Sequence, residues 1–147
     1  MRILSIDYGS KRIGVAVCDE LGLTARGVAT IIRQNNKQVL EALAKLISEY
    51  DVEKIVIGYP IRLDGSFGIQ CEKTDKFAES LEKAFSLPVI KWDEALTTKE
   101  AEDILFQTNV RRKKRKKVVD QLAATLILRD YLASLERIKD HTINSNA

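Results

Sequence analysis

The stretch SIDYGSKRIG, at residues 5–14, places an aspartate at the end of an apolar run and two cations shortly after it. Residues 2–7 are mostly apolar and predict a buried strand, and the Tyr-Gly-Ser sequence that follows Asp7 is typical of a turn. Residues 12–18, RIGVAVC, combine small and β-branched side chains and predict a second strand. This part of the chain therefore predicts two strands joined by a short turn, with Asp7 at the end of the first strand.

The rest of the chain shows a third strand and then an alternation of helices and strands. Apolar residues recur at helical spacing in three segments, and a capping box that begins at Thr97 predicts one more helix. Three strands with short connections favour an antiparallel meander, whereas parallel strands joined by helices need a sheet covered on both faces. We therefore predict an α/β fold. The elements predicted after the first two strands are a strand at 26–33, a helix at 37–50, a strand at 54–60, a helix at 74–85, a strand at 87–94, a helix at 97–107 and a helix at 119–135.

The composition is that of a single globular domain. Of the 147 residues, 45% are hydrophobic and 31% are charged, and no signal peptide or membrane-spanning run is visible, so we expect a cytoplasmic protein without membrane association. Cys18 and Cys71 match no metal or redox spacing, and His141 is the only histidine, which argues against a zinc site and against Ser-His or Cys-His catalysis. We expect one domain over residues 1–137 and a disordered tail over 138–147.

Nearly all of the excess positive charge lies in one run, RRKKRKK. The formal net charge of the chain is +3, and removing these seven cations leaves −4. Such a run predicts a polyanionic partner, and nucleic acid is favoured over anionic lipid because no amphipathic membrane helix accompanies the run. A solvated charge run without a specific partner is the alternative. The seven cations are Arg111, Arg112, Lys113, Lys114, Arg115, Lys116 and Lys117.

Further acidic residues could approach Asp7 at one edge of the sheet. Asp93 and Glu94 end the fifth strand, and because successive strand residues face opposite sides, only one of them can point towards Asp7. Asp120 shares its helical face with alanines three and four positions later, which would let that helix pack close to the sheet. Three carboxylates at one edge would repel one another unless a divalent cation were bound, and all-oxygen ligands favour Mg²⁺ or Mn²⁺. Two such ions suit phosphodiester cleavage. Turn formation at Asp7 and helix capping by the other acids are the alternative roles.

Four motifs, in order along the chain, resemble those of the YqgF (RuvX) family. These are small bacterial proteins of the RNase H-like superfamily, related to the RuvC Holliday junction resolvase. The similarity runs from residue 3 to about 135, and four ordered motifs are far more specific than any one of them. The motifs are DYGSKRIGVA at 7–16; Gly58-Tyr59-Pro60 with Asp64-Gly65 and Gly68; Asp93-Glu94 followed by Leu96-Thr97-Thr98; and Lys114 to Lys117 with Val119, Asp120, Ala123 and Ala124.

The resemblance implies an RNase H-like fold, which is a mixed five-stranded sheet flanked by helices. It also implies a metal-dependent nuclease in which Asp7, Glu94 and Asp120 are the catalytic ligands of Mg²⁺ or Mn²⁺. The substrate implied by the family is the 5′ end of pre-16S ribosomal RNA, which is processed during ribosome biogenesis. Nucleic acid is therefore the expected partner, with a ribosomal RNA precursor favoured and branched DNA as the alternative.

The chain departs from the family pattern at Ala95, where the family has an arginine after the acidic pair. If that arginine contacts the scissile phosphate, the contact would fall here to Arg12 or Arg62, and activity would be weaker. Lys11 and Arg12 follow Asp7 closely, where a phosphate backbone would pass a metal site. A solvated turn is the alternative for Lys11.

Three other functions compete with the ribosomal RNA nuclease. An ATP-binding protein of the actin and sugar kinase group would need a second lobe, for which this chain has no room. A non-catalytic RNA-binding assembly factor would need the basic run but not Asp7, and Ala95 adds weight to it. A DNA junction resolvase would use the same carboxylates on another substrate. The sequence leaves open whether the protein is a monomer or a homodimer.

Overall fold

The computed structural model describes residues 2–59, 68–93 and 112–145 of the chain. Eight elements lie in these ranges, and each predicted strand is present with small shifts at its ends. The predicted helix at 97–107 lies outside the described residues. In chain order the elements are β1 (Arg2–Tyr8), β2 (Arg12–Cys18), β3 (Ala25–Ile32), α1 (Asn36–Glu49), β4 (Val52–Tyr59), α2 (Ile69–Phe85), β5 (Val89–Asp93) and α3 (Arg112–Ser145).

The five strands form one mixed sheet with β1 at its centre. The strand order is β3-β2-β1-β4-β5. Strand β2 pairs antiparallel with both β1 and β3, whereas β4 pairs parallel with both β1 and β5. The predicted antiparallel meander is confirmed, and so is the mixed five-stranded sheet. Because β1, β4 and β5 are parallel, their carboxyl ends lie at the same edge of the sheet.

Alternation along β1 assigns its side chains to two separate cores. Leu4 and Ile6 belong to the core that contains residues of α1 and α2, whereas Ile3 belongs to the core that contains residues of α3. By the same alternation, Asp7 lies on the α3 face and Tyr8 on the face of α1 and α2. The two faces of the sheet therefore present different chemistry at the end of one strand.

Helix α3 packs against the sheet at very short distance. The Ser5 hydroxyl donates a buried hydrogen bond of 2.7 Å to the main-chain oxygen of Ala124. Gly14 of β2 lies directly beneath Asp120, because a Cβ atom at Gly14 would overlap the main-chain oxygen of Asp120. Ala123 and Ala124 are fully buried in this contact, as the small residues of the helix predicted. Gly14 is therefore required for the docking of α3.

Helix α3 is longer at both ends than the predicted helix. It begins at Arg112, so residues 112–117 of the basic run belong to it, and it continues to Ser145. The helix thus continues past residue 135, where the predicted helix ends, into the segment 138–147 for which we expect a disordered tail. The segment 112–145 contains no Gly or Pro that would interrupt the helix. No described helix is both long and apolar enough to span a bilayer.

Helix α2 is fastened to the parallel strands by a polar network. Tyr59 of β4 donates a 3.1 Å hydrogen bond to Asp75, and the Lys91 ammonium of β5 lies 2.5 Å from the other oxygen of that carboxylate. The hydrogen bond from Lys91 holds the pKa of Asp75 below its ordinary value. The pKa of Tyr59 is raised to about 12, mainly because the hydroxyl is buried and also because it donates a hydrogen bond to Asp75. Lys91 therefore lies on the face of the sheet that α2 covers.

We expect Gly14→Ala to be strongly destabilising, by about 3 kcal/mol or more, because the added methyl group would meet main-chain atoms that cannot rotate away. The measurement is the free energy of unfolding in urea. Gly27→Ala is the comparison. Gly27 lies on the edge strand β3, and a Cβ atom there would lie 2.8 Å from the side chain of Gln121, so this substitution should lower the free energy of unfolding by less. Equal losses in the two variants would contradict the role assigned to Gly14.

Candidate active site

Asp7 lies at the end of the central strand, on the face that α3 covers. Its relative exposure is 9%, and it pairs across the antiparallel ladder with Gly14. Because Gly14 has no side chain, the backbone of Asp120 rests directly upon it. Asp7 and the backbone of Asp120 therefore both lie next to Gly14, so two of the three predicted acidic residues are neighbours of the same glycine.

Asp120 is held by Arg12, the first residue of β2. The guanidinium Nε donates a 2.7 Å hydrogen bond to Oδ2 of Asp120, and the two side chains are 31% and 13% exposed, respectively. Arg12 shares its strand face with Gly14, which explains how it reaches the helix above. The residue that we predicted as a phosphate contact thus also forms an ion pair with a predicted catalytic carboxylate.

Strand β5 distinguishes the two acids of the Asp93-Glu94 pair. Ile90 and Trp92 pack into the core of α3, whereas Lys91 contacts α2 through Asp75. Asp93 is two residues after Lys91 on the strand and therefore shares its face of the sheet. The side chain of Asp93 thus lies on the face opposite to Asp7. Glu94 lies outside the described residues. Of the two acids, Asp93 is therefore excluded as a neighbour of Asp7.

Trp92 is a core residue, as its position in a strand predicted. Its ring meets that of Tyr131 edge-on with centroids 5.3 Å apart, and its indole N–H donates a 2.8 Å hydrogen bond to Asp130. Both partners belong to α3, so Trp92 helps to hold that helix against β5. Cys18 and Cys71 are both buried and both free.

The described carboxylates suit a hard divalent cation. Asp7 and Asp120 offer only oxygen donors, which match Mg²⁺ or Mn²⁺ rather than zinc. Within residues 2–59, 68–93 and 112–145, no three acidic, His or Cys side chains are grouped so that they could hold a metal ion. The described part of the chain therefore contributes two of the predicted ligands, and the third, Glu94, lies beyond it.

Arg33, which sequence reasoning missed, braces the turn between β1 and β2. Its guanidinium donates to the main-chain oxygens of Gly9 and Ser10 at 2.8 and 3.3 Å and to the Tyr8 hydroxyl at 2.6 Å. It also lies over the Tyr8 ring, with its central carbon 4.3 Å from the ring centroid. No local pattern in the sequence predicts these contacts, because they depend on the pairing of β3 with β2. Arg33 thereby supports the turn that follows Asp7.

The other predicted nucleic-acid contacts lie partly within the described residues. Lys11 is exposed in the turn between β1 and β2. Residues 112–117 lie in α3, in the turns that precede Asp120. Arg62 and Arg111 lie outside the described residues. The backbone of α3 thus carries the basic run towards Asp120.

The chain is similar in sequence to known proteins over most of its length. The model of the family described as "RuvX: Holliday junction resolvase" matches residues 1–134. A protein of Syntrophus aciditrophicus named "Putative pre-16S rRNA nuclease" is 59% identical over 139 residues, covering 95% of this chain and 93% of its own. A protein of Halothermothrix orenii with the same name is 49% identical over 132 residues, covering 90% and 94%.

Two solved structures share the fold. The Fowlpox virus resolvase bound to Holliday junction DNA aligns with a TM-score of 0.55 at 16% identity, covering 92% of this chain and 99% of its own. RuvC of T. thermophilus with a Holliday junction aligns with a TM-score of 0.52 at 16% identity, covering 92% and 96%. At these identities the similarity concerns the fold alone.

The sheet order and the helices on both faces are those of the fold that this chain shares with the Fowlpox virus resolvase and with RuvC. The chain belongs to the RuvX family. The resemblance drawn from the four sequence motifs is confirmed.

We expect Arg12→Ala to lower the free energy of unfolding by about 2 kcal/mol in EDTA, because it leaves the mostly buried Asp120 carboxylate unpaired near Asp7. Arg2→Ala is the matched control, since Arg2 is also 31% exposed but pairs at 3.4 Å with Glu20, which is 80% exposed. That exposed pair should be worth less than about 1 kcal/mol. Urea unfolding of both variants makes the comparison, and an Arg12→Ala loss no larger than the control would show that the pair is weak.

Proposed function

We propose that the protein is a metal-dependent nuclease that processes the 5′ end of pre-16S ribosomal RNA. The observation that carries the proposal is the pair Asp7 and Asp120, which flank Gly14 at the carboxyl end of the central strand. Its support from relatives is the shared name of proteins that are 59% and 49% identical over nearly the whole chain. Processing of a ribosomal RNA precursor would place the protein in the cytoplasm.

The proposed site residues divide into ligands and supporting groups. Asp7, Glu94 and Asp120 would hold Mg²⁺ or Mn²⁺, which supplies activation of a water molecule and neutralisation of charge at the reacting phosphate. Asp7 is kept in place by the β1–β2 ladder, and Arg12 orients the Asp120 carboxylate through its 2.7 Å hydrogen bond. Such preorganisation matters because a ligand that must be ordered during the reaction raises the barrier.

Glu94 is proposed as the third ligand on two grounds. The first is the facing of β5, in which Ile90 and Trp92 pack towards α3 and Asp93 faces the other side. A strand that continued one residue further would bring position 94 to the face of Asp7. The second ground is the acidic motif of the family, which matches this chain at Asp93-Glu94.

Cleavage of Holliday junctions is the second candidate function, because the matching family model carries that description. The same carboxylates would serve either substrate, since the chemistry at the phosphodiester is shared. The experiment is to incubate the purified protein and Mn²⁺ with a 16S ribosomal RNA precursor, a single-stranded RNA and a four-way DNA junction. We expect cleavage of the precursor. Cleavage of the junction alone would transfer the proposal to the resolvase, and binding without cleavage would favour a non-catalytic assembly factor.

We expect Asp7→Asn and Glu94→Gln each to lower metal-dependent cleavage by at least about a hundredfold, while Asp93→Asn leaves it close to wild type. The physical reason is that the first two changes remove a charged metal ligand and the third alters the opposite face of the sheet. Cleavage rates in Mn²⁺ are the measurement, and circular dichroism checks that the variants are folded. Loss of activity in Asp93→Asn with retention in Glu94→Gln would mean that our register is wrong by one residue.

We expect the basic run to bind phosphates independently of sequence. Changing Lys113, Lys114, Arg115 and Lys116 to Gln should flatten the slope of log affinity against log salt by about 2.8, if each cation contacts one phosphate of a single strand. Two labelled RNAs of different sequence should lose affinity equally, because phosphate contacts carry no base information. An unchanged slope would show that the run is solvated in the complex.

A further inference from the structure

A second positively charged region lies on the face of the sheet opposite to Asp7. It is a cleft of about 410 Å³ between the β1–β2 turn, the start of α1 and one side of α2. We call it the basic cleft. The residues that define it are Tyr8, Ser10, Arg33, Lys73, Lys76 and Phe77.

Among the described residues that line the basic cleft, three are cations and none is acidic. Lys73 and Lys76 lie three positions apart on one side of α2, are exposed, and form no ion pair among the described residues. The bonds of Arg33 go to main-chain oxygens and to the Tyr8 hydroxyl, which are neutral acceptors. Like charges gathered in a concave site repel one another and favour the binding of an anion.

The position of the cleft relates it to the candidate active site. Tyr8 follows Asp7 directly, so the cleft and the carboxylates lie on opposite faces at the end of the same strand. Arg33 contacts both the cleft residue Tyr8 and the turn that separates β1 from β2. A polyanionic strand lying across the carboxyl ends of the parallel strands would therefore reach both regions.

The aromatic residues of the cleft are already occupied. Tyr8 stacks on Phe77 with centroids 4.2 Å apart and an interplanar angle of 6°, and Arg33 covers the Tyr8 ring at 4.3 Å. Tyr8 is therefore not a platform on which a nucleobase could stack. The groups that remain for recognition are ammonium, guanidinium and hydroxyl donors, which suit phosphate oxygens.

We propose that the basic cleft is a second phosphate-binding site, which takes the sugar–phosphate backbone of the nucleic-acid substrate next to the segment held at Asp7. This inference rests on the proposed function, because it assumes a nucleic-acid substrate. It adds a contact region on the far face of the sheet that is independent of the basic run at 111–117. Binding there is insensitive to base sequence, because only phosphates are contacted.

The test is the salt dependence of RNA binding by the full chain in EDTA, where no cleavage occurs. The variant is Lys73→Gln/Lys76→Gln, and a labelled single-stranded RNA is the probe. The matched control is Lys45→Gln/Arg129→Gln, which removes the same charge from two exposed positions outside the cleft. We expect the log–log salt slope to flatten by about 1.4 in the cleft variant, for two lost phosphate contacts, and to stay at the wild-type value in the control.

Each outcome of this test is decisive. Equal slopes in the cleft variant and the control would overturn the second site while leaving the nuclease proposal intact. Failure of the wild-type protein to bind RNA would overturn both, and the cleavage assay with Mn²⁺ would then show separately whether DNA is the substrate. A second measurement is a thermal-shift titration of the wild-type protein and the cleft variant with inorganic phosphate. Saturable stabilisation that is lost in the cleft variant, together with an unchanged RNA slope, would identify a small-anion site and overturn the proposal.

Discussion

The close approach of α3 to the sheet at Gly14 is the constraint on which the site depends. Only a residue without a side chain leaves room for the main chain of Asp120 above β2, and the same contact brings that helix beside Asp7. Ser5 then satisfies a main-chain oxygen of α3 from below, so a polar group in the core is paired rather than orphaned. The small residues of α3 and the glycine of β2 thus form the two sides of the same close contact.

The alternation of side chains at the end of β1 divides the charges of the molecule. Asp7 faces α3, the helix that carries Asp120, the partner of Arg12, while Tyr8 faces α2 and is enclosed by Phe77 and Arg33. A carboxylate region and a cationic region can therefore lie at one strand end without neutralising each other. On the two proposals made above, this arrangement would separate metal binding from contact with the nucleic-acid backbone.

The ion pair of Arg12 with Asp120 gives the departure at Ala95 a structural context. Arg12 compensates the charge of a carboxylate that would otherwise be mostly buried and unpaired beside Asp7. A bound divalent cation would share that role, which would release part of the guanidinium for contact with phosphate. If Arg12 took the place of the arginine expected after the acidic pair, it would have to give up part of its contact with Asp120.

The sequence by itself determined the positions of all five strands, the α/β class and the candidacy of Asp7 and Asp120, because backbone geometry imposes repeats of 2 and 3.6 residues that are visible locally. It left Asp93 and Glu94 undecided, since the packing of Ile90 and Trp92 against α3 shows which face of the sheet each residue of β5 occupies. Only the tertiary structure paired Arg12 with Asp120, 108 residues away, and joined Arg33 to the turn at Tyr8. The basic cleft likewise unites residues from the first turn, the end of β3 and α2. Such contacts depend on strand register and on how closely helices dock, and no local pattern carries that information.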